Sequence, residues 1–347
     1  MICESSITSK EISVVFQGPI TQHTAEALRC ARKYLPDAEI ILSTWNGSSC
    51  SFPEADFILL LEDPGGVVAS DSGFVDNINR MILSTRSGVF AAKRKYVLKM
   101  RTDCILRGTK FLSFFYDFPE REKDYSIFSH RILIPSFFTR PPKYKKQAYL
   151  YHPSDWVSFG LCEDMKKYWN VPLVKQPEFS QFFKGTVRGN IWSKFFAEQY
   201  VFLSCMENAG FQHFLKTRDS YTEKLAELSQ HFLLNNFIIL DYQTQFDFIN
   251  MKYPSKFLTS KIQTYVDFIM FYKMFCDKNM HIPLKKSWKH ILRVNDLIDK
   301  IYLHVFRIRK HRSRILEVLW QSIGILYYAV LICILCVLFS YRLITYR

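Results

Sequence analysis

Short apolar runs in the first hundred residues each end in a polar cluster, a pattern that predicts strands followed by loops. The runs occupy residues 12–16, 39–42, 56–61 and 96–100. Residues 24–34 and 76–95 read as helices, the second from apolar positions at helical spacing. Strands that alternate with helices are typical of crossover units in a mostly parallel sheet. We therefore expect an α/β fold with a Rossmann-type, mostly parallel sheet and flanking helices.

The polar clusters stand at the carboxyl ends of the predicted strands. They are rich in carboxylate, amide, hydroxyl and glycine, and they occupy residues 17–19, 43–47, 62–66 and 101–103. In open α/β sheets, ligands bind in the crevice beyond the strand carboxyl ends. Four such loops on one rim suit a polar, phosphate-bearing ligand. The pattern therefore predicts an enzyme.

The chain after residue 105 is less regular. Residues 125–134 and 155–160 are predicted strands, and residues 163–169 and 194–210 are predicted helices. Gly210 supplies a helix stop.

The formal charge of +14 is concentrated towards the C-terminus. Residues 282–314 carry ten Lys or Arg against two Asp, a net of +8, and residues 315–347 add one more. The first 281 residues therefore carry only +5. A basic body would suggest nucleic acid, whereas a basic tail beside an apolar segment indicates an anionic membrane surface. We expect a membrane partner and no nucleic-acid partner.

Residues 318–341 form an apolar run of 24 residues without a charge. A transmembrane helix needs roughly 20 apolar residues, and a flanking basic cluster marks the cytoplasmic side. We therefore expect the protein to lie at the cytoplasmic face of the inner membrane, held by a single C-terminal transmembrane or anchor segment. The alternative is that residues 318–341 form a buried C-terminal helix. The expected domains are a catalytic domain at residues 1–215, a basic helical region at 216–314 and a membrane anchor at 315–347.

Five motifs follow one another in a fixed order. They are Val-Val-Phe-Gln-Gly-Pro-Ile at 14–20, Ile-Leu-Ser-Thr-Trp-Asn-Gly at 41–47, Asp-Pro-Gly at 63–65, Asn-Ile-Asn-Arg at 77–80 with Ser-Thr at 84–85, and Tyr-Val-Leu-Lys-Met-Arg-Thr-Asp at 96–103. This series resembles the WavE lipopolysaccharide-synthesis family, which is similar to GT-A-type glycosyltransferases, over roughly residues 10–215. The resemblance implies a GT-A-like fold. It also implies transfer of a sugar from a nucleotide-sugar donor to a glycolipid or oligosaccharide acceptor of lipopolysaccharide, capsule or a related surface glycan.

The last motif departs from the GT-A pattern at one residue. GT-A enzymes commonly carry Asp-x-Asp at the end of a central strand, where the carboxylates hold a metal. Here the segment is Arg101-Thr102-Asp103, so Asp103 matches the second aspartate and Arg101 replaces the first. The resemblance therefore makes Asp103 a catalytic and metal-ligand candidate, with Mg²⁺ or Mn²⁺ as the cofactor. The alternative to a metal is that Arg101 contacts the phosphate directly.

The other donor-site candidates come from the strand-end loops and from the start of the second helix. The set is Gln17, Gly18, Pro19, Ser43, Thr44, Trp45, Asp63, Asn79, Arg80, Lys99 and Arg101. Lys99 and Arg101 share one strand face, where a charge is costly unless it meets a carboxylate or a ligand. Pairing with Asp63 or Asp76 is the structural alternative.

Two carboxylates in the second half are candidates for the catalytic base, because GT-A folds often place such a residue there. They are Asp155, before a predicted strand, and Glu198, on a predicted helix. The alternative for Glu198 is that it lies on the solvated surface of its helix. His152 is interpreted as a structural residue.

Other enzyme classes and a non-catalytic role remain open. No Gly-x-Gly-x-x-Gly follows the first strand, and Walker A and Gly-x-Ser-x-Gly patterns are absent. The alternatives are a sugar-phosphate transferase or phosphohydrolase that uses Asp103, and a nucleotide-sugar-binding or scaffold protein of the same pathway.

Overall fold

Strands and helices alternate along the computed structural model, which describes residues 7–48, 51–144, 147–186, 191–252 and 262–277. The strands are β1 Ile12–Gln17, β2 Glu39–Trp45, β3 Phe57–Leu61, β4 Val67–Val68, β5 Val75–Asp76, β6 Tyr96–Arg101, β7 Cys104–Leu106, β8 Ile132–Pro135, β9 Lys143–Tyr144, β10 Gln147–Ala148, β11 Val157–Leu161, β12 Phe237–Leu240 and β13 Phe248–Asn250. The α-helices are α1 Thr24–Tyr34, α2 Ile78–Ala91, α3 Cys162–Trp169, α4 Ala197–Asn208, α5 Glu223–Asn236 and α6 Tyr265–Phe275. Short 3₁₀ turns cover Ser9–Glu11, Lys110–Phe114 and Lys123–Tyr125.

Seven strands form the central sheet, in the order β12-β8-β11-β6-β1-β2-β3. The strands β3, β2, β1 and β6 are mutually parallel, and β12 is parallel to β8. Only β11 runs against its neighbours β6 and β8. The predicted α/β fold with a GT-A-like, Rossmann-type, mostly parallel sheet is confirmed.

The burial of the central strands explains why they form here. Every residue of β1 and β2 is buried, as expected for parallel strands covered on both faces. The helix α2 lies close against β1, since a Cβ added to Gly88 would stand 2.4 Å from the Val15 Cγ1 atom. This close approach requires glycine at position 88, and α2 continues through it to Ala91.

The residues after Gly210 belong to the same compact unit, which covers Met1–Ile282. The strand β12 pairs with β8 in the central sheet, and β13 pairs with β7 in a small second sheet. The predicted domain boundary after residue 215 therefore does not coincide with the end of this unit. The region predicted to be helical at 216–314 contains both of these strands.

The structure contradicts the predicted localisation at the cytoplasmic face of the inner membrane through a C-terminal span. Within the described part of the chain, no helix has the length and apolar character needed to cross a membrane. The longest, α2 and α5, have 14 residues each, or about 21 Å, against a hydrocarbon core of about 30 Å. The segments behind the prediction, residues 287–314 and 318–341, lie outside the described residues.

Candidate active site

The loops that follow β1 and β6 meet at the point where the strand order of the sheet reverses. From β1 the chain moves outwards to β2 and β3, and it then returns to β6 on the other side of β1. Gln17 ends β1 and stands in register with Arg101, which ends β6. Thr102 donates its N–H to the Gln17 carbonyl at 3.2 Å and its hydroxyl to the Pro19 carbonyl at 2.7 Å. Such switch points are where open α/β sheets bind ligands.

Gly18 gives the first of these loops its shape. Its φ of +116° is a conformation that side-chain-bearing residues rarely adopt. The Gly18 N–H donates to the Ser43 carbonyl at 3.1 Å, which ties the loop to the end of β2. The loop at 17–19 is thereby fixed between the ends of β2 and β6.

Arg101 and Asp103 form a two-point ion pair at the end of β6. Arg101 donates from Nε to Asp103 Oδ1 at 2.9 Å and from Nη2 to Oδ2 at 2.8 Å. The guanidinium also lies over the Trp156 ring, 4.0 Å from its centre. Burial opposes ionisation of Asp103, but the hydrogen bonds and charge of Arg101 hold the pKa of Asp103 below its usual value. Both side chains are therefore charged, and Arg101 is fixed in one orientation.

Lys99, two residues before Arg101 on β6, contacts the backbone of Asp155. Lys99 is fully buried, donates from Nζ to the Asp155 backbone carbonyl, and lies 4.9 Å from the ring centre of Trp169. Burial lowers the pKa of Lys99 to about 8. Burial, with the nearby charge of Glu198, raises the pKa of Asp155 to about 6.

The Asp155 carboxylate has an oxygen that no group in the described structure satisfies. Its Oδ1 atom is buried and accepts no hydrogen bond from the described residues. A buried carboxylate with a raised pKa and an open acceptor atom has the properties of a general base near neutral pH.

Glu198 is the second carboxylate of this cluster. Its Oε2 atom lies 3.7 Å from His152 Nε2. Burial raises the pKa of Glu198, and the positive charge of Arg140 opposes the rise. Burial lowers the pKa of His152 to about 3, so the imidazole is neutral at pH 7. Glu198 therefore faces cations and polar groups, unlike the solvated residue of the structural alternative.

A family sequence model described as WavE lipopolysaccharide synthesis matches residues 12–302, most of the chain. The chain belongs to the WavE lipopolysaccharide synthesis family. The match confirms the resemblance seen in the five motifs and extends well past residue 215, where that resemblance ended. It includes every candidate residue of the site, and the family description indicates a role in lipopolysaccharide biosynthesis. A comparison with curated proteins gave no match.

In this WavE protein, the candidates at the carboxyl ends of β1 and β2 are buried. Gln17 accepts a hydrogen bond from the Ser84 hydroxyl at 2.8 Å and is buried. Ser43 and Thr44 are also buried, and their hydroxyls contact no hydrogen-bond partner in the described structure. Trp45 ends β2 and is buried as well. These side chains therefore lie within the packed fold, beside the backbone of the 17–19 loop.

Asp63, Asn79 and Arg80 lie together at the start of α2. Arg80 donates from Nε and Nη2 to both carboxylate oxygens of Asp63, at 2.7 and 2.6 Å. Asn79 pairs with the backbone of Val174, accepting its N–H at 2.8 Å and donating to its carbonyl at 3.0 Å. Asn79 therefore holds a loop, whereas the partly exposed pair of Asp63 and Arg80 stands at the rim. In the structure, Lys99 contacts the Asp155 carbonyl and Arg101 pairs with Asp103. The alternative pairing with Asp63 or Asp76 is therefore wrong.

The residues around Asp103 do not fit a divalent cation. Each Asp103 oxygen already accepts from the Arg101 guanidinium, so a metal there would face a fixed positive charge. The described residues contain no group of three or more His, Cys, Asp or Glu side chains placed to hold a metal ion. The positive charge that a metal would supply stands here on Arg101 instead.

Sequence reasoning missed two residues of this site, Trp156 and Arg140, and assigned a third, Asp76, to the wrong partners. Trp156 carries the Arg101 guanidinium on its ring, and Arg140 faces Glu198. Asp76 accepts hydrogen bonds from Ser180 at 2.9 Å and Ser193 at 2.7 Å, which joins α2 to the 179–196 segment. Trp156 follows Asp155 directly, and that adjacency was a usable signal. Arg140 and Asp76 depend on long-range contacts that no local pattern reveals.

Proposed function

We propose that this protein is a glycosyltransferase that moves a sugar from a nucleotide-sugar donor to an acceptor of lipopolysaccharide or a related surface glycan. The observation that carries the proposal is the adjacency of a fixed cation and a buried proton acceptor at the switch point of the sheet. Arg101 supplies the cation and Asp155 the acceptor, and the charge of Arg101 acts on the Asp155 carboxylate. Glycosyl transfer needs both groups, because a phosphate leaves and a hydroxyl is deprotonated.

Arg101 is assigned to the leaving phosphate. Its Nε and Nη2 atoms are used by Asp103, and none of the described residues accepts from Nη1. A guanidinium with one edge fixed presents its other edge to an anion without further ordering. Asp103 is then a positioning residue, and Mg²⁺ or Mn²⁺ is not required for this role.

Asp155 is assigned to the acceptor hydroxyl. In the transfer step the acceptor O–H gives its proton to Asp155 while its oxygen bonds to the sugar carbon. The bond from that carbon to the phosphate oxygen breaks, and the electron pair leaves with the nucleotide. Glu198 lies beside the neutral His152 ring, and its charge adds to the effect of burial in keeping the Asp155 pKa raised.

Steady-state kinetics with a panel of nucleotide sugars test these assignments. Asp103→Asn is expected to lower turnover at least tenfold, or about 1.4 kcal/mol in the barrier, because Arg101 loses its fixed orientation. Asp124→Asn is the matched control, since Asp124 is an exposed aspartate on a surface turn. Unchanged turnover in folded Asp103→Asn would remove the pair from the mechanism.

A further inference from the structure

A surface of basic side chains resting on aromatic rings adjoins the candidate base carboxylates. We call it the basic-aromatic surface; it comprises residues 138–144, 147–149, 179–186, 191–196 and 214–222. These segments contain six Lys or Arg and one Asp. Five of the cations stand over rings, at these distances from the ring centres: Arg140 over Phe138 at 4.7 Å, Lys143 over Tyr221 at 4.5 Å, Lys184 over Trp192 at 5.6 Å, Lys194 over Phe195 at 5.4 Å and Arg218 over Phe183 at 5.2 Å.

Backbone hydrogen bonds hold the separate segments in one arrangement. Lys194 donates its N–H to the Phe179 carbonyl at 2.9 Å, and the Arg218 N–H donates to the Lys194 carbonyl at 2.9 Å. Phe183 donates to the Trp192 carbonyl at 2.8 Å. The cations are therefore presented on an ordered scaffold.

The surface is continuous with the candidate active site. The Phe196 ring stacks on Tyr149 at 5.4 Å and lies 5.4 Å from the His152 ring. His152 contacts Glu198, and Arg140 donates its N–H to the His152 carbonyl at 3.1 Å. This chain of contacts links the surface to Glu198.

The chemistry of the surface selects a charged sugar. The exposed rings of Phe182 and Phe214 offer flat faces to the apolar faces of sugar rings, while guanidinium and ammonium groups bind phosphate or carboxylate. Arg218 is only 4% exposed; its Nη2 atom donates to the Ile191 carbonyl, whereas its Nη1 atom donates to none of the described residues. The Oδ1 atom of Asp219 lies 3.7 Å from Arg218 Nε. A neutral saccharide would use the rings but would leave the cations without a counter-charge.

We propose that the basic-aromatic surface binds the acceptor, and that this acceptor is a saccharide carrying phosphate or carboxylate groups. The inference rests on the proposed transferase function of the adjoining site. Basic and aromatic groups together also suit single-stranded nucleic acid. The continuity with a buried proton acceptor favours a saccharide, because a saccharide offers the hydroxyl that such a group deprotonates.

The test is a binding titration by calorimetry on the full-length chain, without donor and without turnover. The probes are a deacylated lipopolysaccharide oligosaccharide, the same oligosaccharide dephosphorylated, the same with its carboxylates reduced, the same after both treatments, and a single-stranded oligothymidylate. The surface variant is Lys143→Gln with Lys184→Gln and Lys194→Gln. The matched control is Lys33→Gln with Lys93→Gln and Lys95→Gln, three exposed lysines that also stand over rings but precede β2 and β6, at the opposite edge of the sheet.

We expect the intact oligosaccharide to bind the wild type and the control alike, and the surface variant about tenfold more weakly, or about 1.4 kcal/mol. The single treatments identify which anionic group is recognised, and the doubly treated oligosaccharide should bind wild type no more tightly than the surface variant binds the intact one. Equal binding of the charged and uncharged oligosaccharides, equal loss in the control variant, absence of binding, or tighter binding of the oligothymidylate would each overturn the proposal. If charge-dependent binding is found but no sugar is transferred from any nucleotide sugar, the transferase function fails and the binding surface stands. If sugar is transferred equally well to charged and uncharged acceptors, and equally well by wild type and the surface variant, the binding surface fails and the transferase function stands.

Discussion

Replacement of Asp155 by asparagine should stabilise the protein at neutral pH while abolishing transfer. Burial and the charge of Glu198 raise the pKa of Asp155 from 3.8 to about 6. The native state therefore holds this proton more tightly than the unfolded state does, and stability falls as pH rises between about 4 and 6. Two pKa units correspond to about 3 kcal/mol at about 1.4 kcal/mol each, and the full penalty is present above pH 6. Asparagine has nearly the same shape and carries no charge, so it escapes this penalty.

Urea denaturation at pH 4.5 and pH 7.5 measures the effect. Because Asp155 of the unfolded chain is already largely ionised at pH 4.5, the free energy of unfolding of Asp155→Asn, relative to wild type, should increase by about 2 kcal/mol between the two pH values. The same comparison for Asp124→Asn, at an exposed position, should show little change. A difference between Asp155→Asn and wild type that is independent of pH would refute the account of a buried carboxylate with a raised pKa. In wild type, the same ionisation should make transfer fall as pH drops below about 6, because a protonated Asp155 cannot accept the acceptor's proton.

Three further predictions concern the phosphate contact and the sheet. Arg101→Lys should lower transfer at least tenfold with little change in Tm, because lysine cannot make the two-point pair, whereas Arg32→Lys, at the opposite edge of the sheet, should leave transfer unchanged in the same assay. Chelation by EDTA should alter the initial rate less than twofold, since Arg101 occupies both carboxylate oxygens at the metal position; a complete loss restored by Mg²⁺ or Mn²⁺ would contradict this. Gly88→Ala should cost about 1–3 kcal/mol in urea denaturation, because the new methyl group would overlap Val15, whereas the neighbouring Ser87→Ala should be nearly neutral.

The parallel half of the fold was predictable from the sequence because its strands are short buried runs separated by helices and turn residues. The α1 helix has the predicted bounds, and β1, β2, β3 and β6 differ from the predicted strands by at most a few residues. The loop ends at Gln17 and Arg101 could be placed together because parallel strands share one carboxyl edge. The family match confirms the family that these five motifs suggested.

The second half could not be predicted in the same way, because its pairings are long-range. The strand β12 directly follows α5 without a turn residue and joins β8, more than a hundred positions earlier in the chain. The antiparallel placement of β11, which brings Trp156 beside Arg101, also has no local signal. The pairing of Arg101 with Asp103 was missed for a different reason: the GT-A resemblance suggested a metal there, and only the geometry shows the guanidinium in its place.

The central claim is sugar transfer at the site of Arg101 and Asp155, and product identity tests it most directly. The measurement is mass spectrometry of a lipopolysaccharide oligosaccharide acceptor after incubation with the wild-type protein and a panel of nucleotide sugars. The account predicts that one donor adds the mass of a single sugar residue to the acceptor, with release of the nucleotide, and that Asp155→Asn forms no such product. Release of free sugar or sugar phosphate with an unchanged acceptor, or equal product from Asp155→Asn, would contradict it.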